Sequence, residues 1–496
     1  MPACMQVPHQ APCHTPPPGC YRRREPEHTV LHQILRSELE TFLARQNDRG
    51  RPVPRFVERE LHGFLECGIL AHGFVRVHCD TCGKDRLVAF SCKGRGFCPS
   101  CGGRRMADTA AWLVDRVLPF VPVRQWVLTL PFPLRFRLAY DAGLTSDVLR
   151  IFLRAVFSSL RKRARRQGKF LRPQCGAVTF VQRFGDALNL NVHFHALVLD
   201  GVYEAGGRGA FHPASAPDRP ELERVLRRVA RRLDKLLDRR GQEDSLLADD
   251  QPLLAGLADA SIRGRIATGE RSGRSVRRLG DRIDPEDMED DAAQTTCVAG
   301  GGFSLHAGVV VPPGDRTRLE HLCRYVARPP VATGRLSRLP DGRLLYRLKR
   351  RWRDGTTHMI FEPAELLEKL VSLVPPPRSH QVRYHGVLAP CAGWRAEVVP
   401  LPPEAPGLPS RPRLAGNAGR YPVESTTRRQ HRHPRARHER SHPRVSGRTS
   451  SRPPLRPTRQ PAPPSMGGAD APRVRSRCPG VSSPLRRAPS HPGRDP

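Results

Sequence analysis

The chain has 496 residues and a formal net charge of +35. This length allows two or three domains, each with its own hydrophobic core. The charge excludes an ordinary near-neutral enzyme and favours a polyanionic partner, usually nucleic acid, although an anionic membrane surface would also attract it. The sequence contains no run of about 18 apolar residues, the length needed to span a bilayer. Residues 1–24 lack the apolar stretch of a secretory signal. We therefore expect a cytoplasmic protein that does not enter a membrane.

The N-terminal third begins with a Pro-rich segment, residues 1–27, that we expect to be disordered. Within 30–65, apolar residues recur at spacings of three and four, which predicts an amphipathic helix. Residues 105–118 predict a second helix. Residues 123–130 predict a strand that ends at Pro131.

The middle of the chain alternates helical and strand-like patterns. The predicted strand 192–199 is apolar on both faces apart from two histidines, which favours a central, covered strand. Residues 241–300 are polar and rich in acids, and we interpret them as an insertion of weak structure. The other predicted elements are a helix over 144–167, a strand over 176–184, a helix over 221–240, a strand over 303–311 and a helix over 316–326.

The C-terminal segment, residues 401–496, has a different composition. Beyond Tyr421 it contains no aromatic residue, and Arg, Pro, Ser and His dominate. Such a segment cannot bury enough apolar surface to offset the loss of chain entropy. We therefore predict a disordered tail.

Cysteines crowd one stretch near the N-terminus. Two Cys-x-x-Cys pairs, Cys79/Cys82 and Cys98/Cys101, flank residues 83–97. Two such pairs can surround zinc tetrahedrally, and four thiolates leave no open position, so the spacing favours a structural zinc site. Reduced core cysteines are the alternative, and nearby residues could replace one ligand or form a second site: Cys67, His78 and Cys92. Arg104 and Arg105 make this module basic.

A pair of histidines, His193 and His195, lies in the predicted strand 192–199. Residues two apart in a strand project from the same face, with Cα atoms roughly 7 Å apart, so both imidazoles can reach one divalent ion. A hydrogen-bonded structural pair explains the pattern equally well. A metal site needs a third ligand, for which Gln182 and His306 are both candidates.

Tyr325 lies in the predicted helix 316–326, between Arg324 and Arg328. A phenol is a poor nucleophile unless cations or a metal favour its phenolate. The two arginines can supply part of that charge and can also bind a phosphate group. Taken alone, the tyrosine is more typical of a helix surface, with its ring packed and its hydroxyl exposed.

The combination is more specific than its parts. A His-hydrophobic-His (HUH) strand, an upstream cysteine cluster and a downstream tyrosine helix resemble the rolling-circle HUH transposases of bacterial insertion sequences, in particular the group that includes the ISCR elements. The likeness extends over residues 30–400. It is carried by the segments 90–106, 182–201, 322–330, 352–358 and 384–390.

The resemblance implies an α+β protein with a zinc-ribbon-like transposase zinc-binding domain at residues 28–120. A ferredoxin-like HUH nuclease domain at 121–400 would follow, with the HUH strand central in an antiparallel sheet. It also implies Mg²⁺ or Mn²⁺ held by His193 and His195, and Tyr325 as the nucleophile. The implied substrate is single-stranded or hairpin DNA at element ends, cut and transferred through a 5′-phosphotyrosine. Arg104, Arg105, Arg324 and Arg328 are the expected DNA-binding residues, and the oligomeric state is left open.

Two departures from the family pattern stand out. Many relatives carry two tyrosines four residues apart on this helix, whereas His321 precedes Tyr325 here. We therefore interpret the chain as a single-tyrosine variant, in which two tyrosines of one protomer cannot alternate. Relatives also continue past a Gly-Arg-Tyr, here 419–421, into an apolar module that contains cysteine. The Arg- and Pro-rich tail suggests a shifted reading frame, which translation of the other two frames would test.

Two other functions are compatible with the sequence. A relaxase or replication initiator would use the same chemistry on a plasmid origin. A zinc-ribbon DNA-binding regulator would keep the histidines and the tyrosine without catalysis. Strand-transfer assays on element ends and plasmid origins separate the first from a transposase, and a Tyr325→Phe comparison separates the second.

Overall fold

The computed structural model describes residues 24–80, 82–168, 170, 172–204, 210–240, 251–280, 296–400 and 474–476. The predictions made for residues 1–23 and for most of the tail lie outside these ranges. The described residues form a mixed fold of helices and largely antiparallel sheets. No helix in the described part of the chain is both long and apolar enough to cross a bilayer.

The elements occur along the chain in the following order. They are α1 (Val30–Asp48), α2 (Arg55–Glu66), β1 (Phe74–Cys79), β2 (Asp85–Ala89), α3 (Pro99–Arg116), β3 (Val123–Thr129), α4 (Phe132–Tyr140), α5 (Ala142–Gln167), β4 (Gly176–Phe184), β5 (Leu190–Leu199), β6 (Gly201–Tyr203), β7 (Phe211–Pro213), α6 (Arg219–Arg240), α7 (Pro252–Ile262), β8 (Arg277–Gly280), β9 (Cys297–Gly300), β10 (Phe303–Val311), α8 (Arg316–Val326), β11 (Leu336–Arg338), β12 (Leu344–Arg347), β13 (Thr356–Phe361), α9 (Pro363–Leu373), β14 (Val382–Gly386) and α10 (Arg395–Val398).

The helix predicted over 30–65 is two helices, α1 and α2. Pro52 and Pro54 lie between them, and a proline disfavours helical backbone in the residue before it. Thr29 caps the start of α1 by accepting a hydrogen bond from the backbone N–H of His32. Strands β1 and β2 then form an antiparallel hairpin, and a short strand, Val474–Ser476, pairs parallel with β1.

A six-stranded antiparallel sheet forms the centre of the fold, with the strand order β14-β4-β5-β3-β10-β9. Its inner part follows a strand–helix–strand–strand–helix–strand path through β3, α5, β4, β5, α6 and β10. Strand β5 lies between β4 and β3, with His195 opposite both Phe180 and Val127. The prediction of a central strand with covered faces is therefore confirmed.

The two faces of β5 contribute to different hydrophobic cores. Phe194, Ala196 and Val198 are buried with residues of α5 and α6. Leu197 and Leu199 are buried with residues of α3 and α8. Because side chains alternate along a strand, the two histidines share the face of Leu197, which α3 and α8 cover.

A second sheet, with the order β11-β12-β13-β8, is also antiparallel. Strand β8 and helix α7 both belong to the region 241–300 that we interpreted as weakly structured. That expectation is wrong for residues 251–280. Leu253, Leu254 and Leu257 of α7 are buried, and α7 packs against α9. The apolar pattern of α7 covers few residues and polar residues flank it on both sides. The average composition of the region therefore did not indicate this helix.

Candidate active site and cysteine cluster

The two histidines lie side by side on β5, with ring centroids 4.9 Å apart. Nδ1–H of His193 donates to the carbonyl oxygen of Asn191 at 2.8 Å. Nδ1 of His195 lies 2.8 Å from the amide Nε2 of Gln125, which belongs to the neighbouring strand β3. In both rings Nδ1 is engaged by the protein, which leaves Nε2 for a ligand.

Burial keeps both imidazoles neutral. It lowers the pKa of His193 to about 4, against a weaker opposing effect of the hydrogen bond to Asn191. It also lowers the pKa of His195 well below its usual value, helped by His193 and Arg328. A neutral imidazole is the form that binds a metal ion, so the environment favours ligation over protonation.

Tyr325 lies over this histidine pair. Its ring centroid is 6.0 Å from that of His195, and the two rings are nearly perpendicular. Helix α8, which carries it, is capped by Asp315 and buries Leu322 and Val326 against the sheet. Tyr325 is 38% exposed and lies at the edge of this buried stripe. The phenol is thus accessible to a substrate while its helix is anchored.

Two cations flank the tyrosine ring. Nζ of Lys349 is 4.3 Å and Cζ of Arg328 is 5.0 Å from the ring centroid. Arg328 also pairs with Asp186 at 3.3 Å. Arg324 instead makes an ion pair at 2.7 Å with Glu320, one turn earlier in α8. Lys349 was not among the predicted site residues, although it belongs to the basic run 349–351 just before the 352–358 segment.

The register of the sheet separates the two candidates for a third ligand. Gln182 on β4 is directly opposite His193. Its Nε2 donates to the carbonyl oxygen of Val326 at 2.7 Å, while its buried Oε1 has no hydrogen-bond partner. His306 is opposite Val127, which is opposite His195, so two strand spacings of about 4.8 Å each separate His306 from His195. The structure brings Gln182, and not His306, next to the pair.

Four cysteines near the N-terminus form a compact group: Cys67, Cys92, Cys98 and Cys101. Their sulfur atoms lie 3.5 Å (92–101), 3.6 Å (67–101) and 3.7 Å (67–98) apart. Thiolates about 2.3 Å from a zinc ion lie about 3.8 Å from one another in a regular tetrahedron. The residues therefore fit a structural zinc ion.

Local backbone geometry explains how this group forms. Cys67 ends α2, and Cys98 precedes Pro99 at the start of α3. Lys93 has a left-handed φ of 54°, which turns the chain so that the Gly94 N–H donates to the sulfur of Cys92 at 3.3 Å. Arg105 donates to the carbonyl oxygens of Lys93 and Gly94, so it supports this turn, whereas Arg104 is exposed.

The structure brings only two of the four predicted zinc ligands into this group. Cys98 and Cys101 belong to the group and the alternate Cys92 joins them, but among the described residues neither Cys79 nor Cys82 does. The reason is the β1–β2 hairpin. Its base is close to Cys67 and Cys92, since the Gly68 N–H donates to the Phe90 oxygen at 2.9 Å. Cys79 and Cys82 lie at its tip, on the order of 14 Å further along the strands.

Comparisons with known proteins match two parts of the chain to transposase families. Residues 34–130 match the family Zn_Tnp_IS91, "Transposase zinc-binding domain". Residues 176–395 match the family Y2_Tnp, "Putative transposase". The chain resembles IS91-type transposases. It is also 24% identical over 336 residues to "Transposase for insertion sequence element IS801" of Pseudomonas savastanoi pv. phaseolicola, covering 66% of this chain and 68% of the relative. No solved structure matches the chain significantly.

Each of the two matched ranges contains one of the two sites. The zinc-binding match contains all four clustered cysteines, which supports structural zinc there. The transposase match contains both histidines, Gln182, Tyr325 and Lys349. The chain therefore combines a cysteine cluster typical of an insertion-sequence zinc-binding domain with a transposase-type region.

Proposed function

We propose that the protein is a rolling-circle transposase that nicks and rejoins single-stranded DNA through Tyr325. One observation carries the proposal: a phenol and two neutral imidazoles meet on one covered face of the central sheet, with Tyr325 and His195 rings 6.0 Å apart. The transposase matches support DNA as the partner. In this proposal residues 28–120 are the zinc-binding domain, zinc-ribbon-like, and residues 121–400 the catalytic domain. The strand–helix–strand–strand–helix–strand path is its ferredoxin-like core.

The residues around β5 fit a divalent cation. His193 and His195 offer imidazole nitrogens, and the Oε1 of Gln182 is a buried amide oxygen without a partner. The Gln125 amide can turn its oxygen towards Nδ1–H of His195, which leaves the Nε2 lone pair of that ring available. We assign Mg²⁺ or Mn²⁺ to this mixed nitrogen and oxygen set. When bound, the ion would act as a Lewis acid towards the scissile phosphate.

The chain's own residues account for the strand cleavage. Lys349 and Arg328 lie within 5.0 Å of the Tyr325 ring, where their charges can offset the negative charge of the phosphate as it is attacked. The phenolate oxygen forms a bond to phosphorus while the bond from phosphorus to the 3′ oxygen breaks. The phenol proton passes to solvent, and the departing 3′ oxygen takes up a proton to become a 3′-hydroxyl. The product is a 5′-phosphotyrosine.

Rejoining is the same reaction in reverse. A 3′-hydroxyl attacks the phosphotyrosine, a new phosphodiester forms and the phenol is released. One ester is exchanged for another in each step, so no nucleoside triphosphate is consumed. Arg104, Arg324 and Arg328 are our candidates for phosphate contacts, because the backbone of a DNA strand is recognised by cations. We give Arg105 a mainly structural part, since it is bound to the turn at Lys93 and Gly94.

A covalent-adduct assay tests the proposal. Wild-type protein, a labelled single strand from an element end and Mg²⁺ or Mn²⁺ should yield a protein–DNA adduct on a denaturing gel. Tyr325→Phe should yield none, and Tyr203→Phe, which removes a hydroxyl from a buried ring on β6, should behave as wild type. If wild type and Tyr325→Phe give equal adduct with active preparations, Tyr325 is not the nucleophile.

A further inference from the structure

A groove lies on the second sheet, away from the histidine pair but next to Tyr325. It has a volume of about 510 Å³. Its lining comes from β8, from β13, from the end of β12 and from the segment that follows β12. Four of the lining residues are cations: Arg347, Lys349, Arg350 and Arg351.

These four cations are exposed, and in the described part of the chain none of them has a carboxylate within ion-pair distance. Three other arginines on or beside the same sheet form ion pairs with carboxylates. The pairs are Arg277 with Glu362, Arg278 with Asp354 and Arg343 with Asp341. A solvated face normally mixes both signs of charge, so the groove holds a local surplus of positive charge. Such a surplus attracts a polyanion.

The groove also offers surfaces on which a base can stack. Leu279 is 50% exposed although it is a large apolar residue. His358, which is half-buried, lines the same groove. Trp352 adjoins the run of cations, and the Arg278 guanidinium lies 5.2 Å from its ring centroid. Cations beside aromatic and apolar side chains are typical of sites that bind single strands, where phosphates and unpaired bases are both available.

One end of the groove reaches the nucleophile, because Lys349 lines the groove and contacts the Tyr325 ring. Partial burial lowers the pKa of Lys349, and the nearby cations Arg328 and Arg350 lower it further. The positive charge therefore continues from the groove to the tyrosine. A strand lying in the groove would have its next phosphate close to the phenol.

We propose that this groove binds the single-stranded DNA segment adjoining the phosphate that Tyr325 attacks. Arg347, Arg350 and Arg351 contact successive phosphates, and bases stack against Leu279, His358 and Trp352. The identity of the polyanion as DNA rests on the proposed function. The surface itself is established by its charge, its exposed apolar residues and its contact with Tyr325.

A charge-matched pair of triple variants tests the groove. The groove variant is Arg347→Gln, Arg350→Gln, Arg351→Gln. The control is Arg227→Gln, Arg231→Gln, Arg232→Gln on α6, which packs on the other face of the sheet and has exposed arginines at these positions. Both lose three charges. Binding of a labelled single strand is measured by fluorescence anisotropy over a range of salt concentrations, and thermal unfolding confirms that both variants are folded.

For the groove variant we expect the slope of log K against log salt to fall in magnitude by about 2, since each lost contact to a single strand removes about 0.7. That corresponds to binding weakened on the order of 10- to 50-fold near 0.15 M salt. The control should keep the wild-type slope. Equal slopes for all three proteins, or an equal loss for both variants, would overturn the groove assignment. So would a loss confined to double-stranded DNA.

The adduct assay separates this inference from the proposed function. At saturating DNA the groove variant should still form the Tyr325 adduct, because its nucleophile and histidines are unchanged. If the wild type forms the adduct and the groove variant binds DNA as tightly as the wild type, the assignment of the groove as a DNA-binding site is wrong and the proposed function stands. If the groove variant binds DNA more weakly but the wild type forms no adduct, the assignment of Tyr325 as the nucleophile is wrong. The groove then remains a binding site for single strands.

Discussion

Gly102 lies at the contact between the zinc-binding region and the tyrosine helix. It follows Cys101 in α3, and a Cβ atom built on it would be 2.5 Å from Cβ of Pro329. Pro329 comes just after α8, the helix of Tyr325. The next residue, Gly103, is also in α3, but a Cβ there would meet nothing within 4 Å. The two glycines therefore provide a matched pair for a Gly→Ala comparison.

Two opposing contributions decide the stability of Gly102→Ala, whereas only the favourable one applies to Gly103→Ala. In a helix interior, Gly→Ala stabilises by about 1 kcal/mol through the backbone, and both variants gain this. Carbon atoms pack best at about 3.5–4.0 Å, so Gly102→Ala also creates an overlap of roughly 1 Å with Pro329. Overpacking of this kind costs about 1–3 kcal/mol. Gly103→Ala should raise the free energy of unfolding, and Gly102→Ala should lie about 1–3 kcal/mol below Gly103→Ala.

Equilibrium urea unfolding of the zinc-loaded protein, followed by circular dichroism, measures this difference. Adduct yield on a labelled single strand is the second readout. It should fall for Gly102→Ala, because displacement of Pro329 shifts the end of the tyrosine helix, and stay at the wild-type level for Gly103→Ala. If Gly102→Ala is as stable as Gly103→Ala, the close contact between α3 and Pro329 does not exist in solution and the reasoning fails.

Three further predictions concern the metal sites and the sheet. Cys92→Ser should lose bound zinc while Cys82→Ser keeps it, as zinc content after exhaustive dialysis would show; equal retention would contradict the cluster. Gln125→Leu removes the amide that orients His195 and should weaken Mn²⁺ binding by about 10- to 100-fold in calorimetry, and unchanged affinity would count against the site. Burial lowers the pKa of His385 to about 4, so the unfolded chain takes up a proton first, near its usual pKa of about 6.5. The wild type should then lose stability as pH falls from 6.5 towards 4, and His385→Asn should lose less, measured by urea midpoints at each pH.

The placement of the candidate site residues on β5 and α8 was predictable from the sequence, since it depends on short periodicities. A strand repeats every two residues, which places His193 and His195 on one face and Phe194 on the other. A helix pattern from 316 to 326 located Tyr325 correctly. What the pattern could not supply was the partner strand for each histidine. The choice between Gln182 and His306 required the register, which is a property of the folded sheet.

The composition of the cysteine cluster, in contrast, could not be predicted from local spacing. Spacing alone selected two Cys-x-x-Cys pairs, but the cysteines that lie beside Cys98 and Cys101 are Cys67 and Cys92. These two residues are far apart in the sequence and become neighbours only because the β1–β2 hairpin returns to its own base. The spacing of residues two or three positions apart cannot predict such a long-range contact. The contact of Lys349 with Tyr325 is a second example, because the segment that follows β12 meets α8 only in the folded chain.

The position of β5 has a consequence for how the molecule could move while it works. Hydrogen bonds to β4 and β3 hold both edges of this strand, so neither imidazole can be displaced far unless the sheet opens. Tyr325, 38% exposed on a helix that runs into Pro329 and Pro330, has no such restraint on its ring. In the proposed mechanism, the tyrosine and the DNA would therefore make the rearrangements that strand exchange requires, while the histidines keep the positions that the fold gives them.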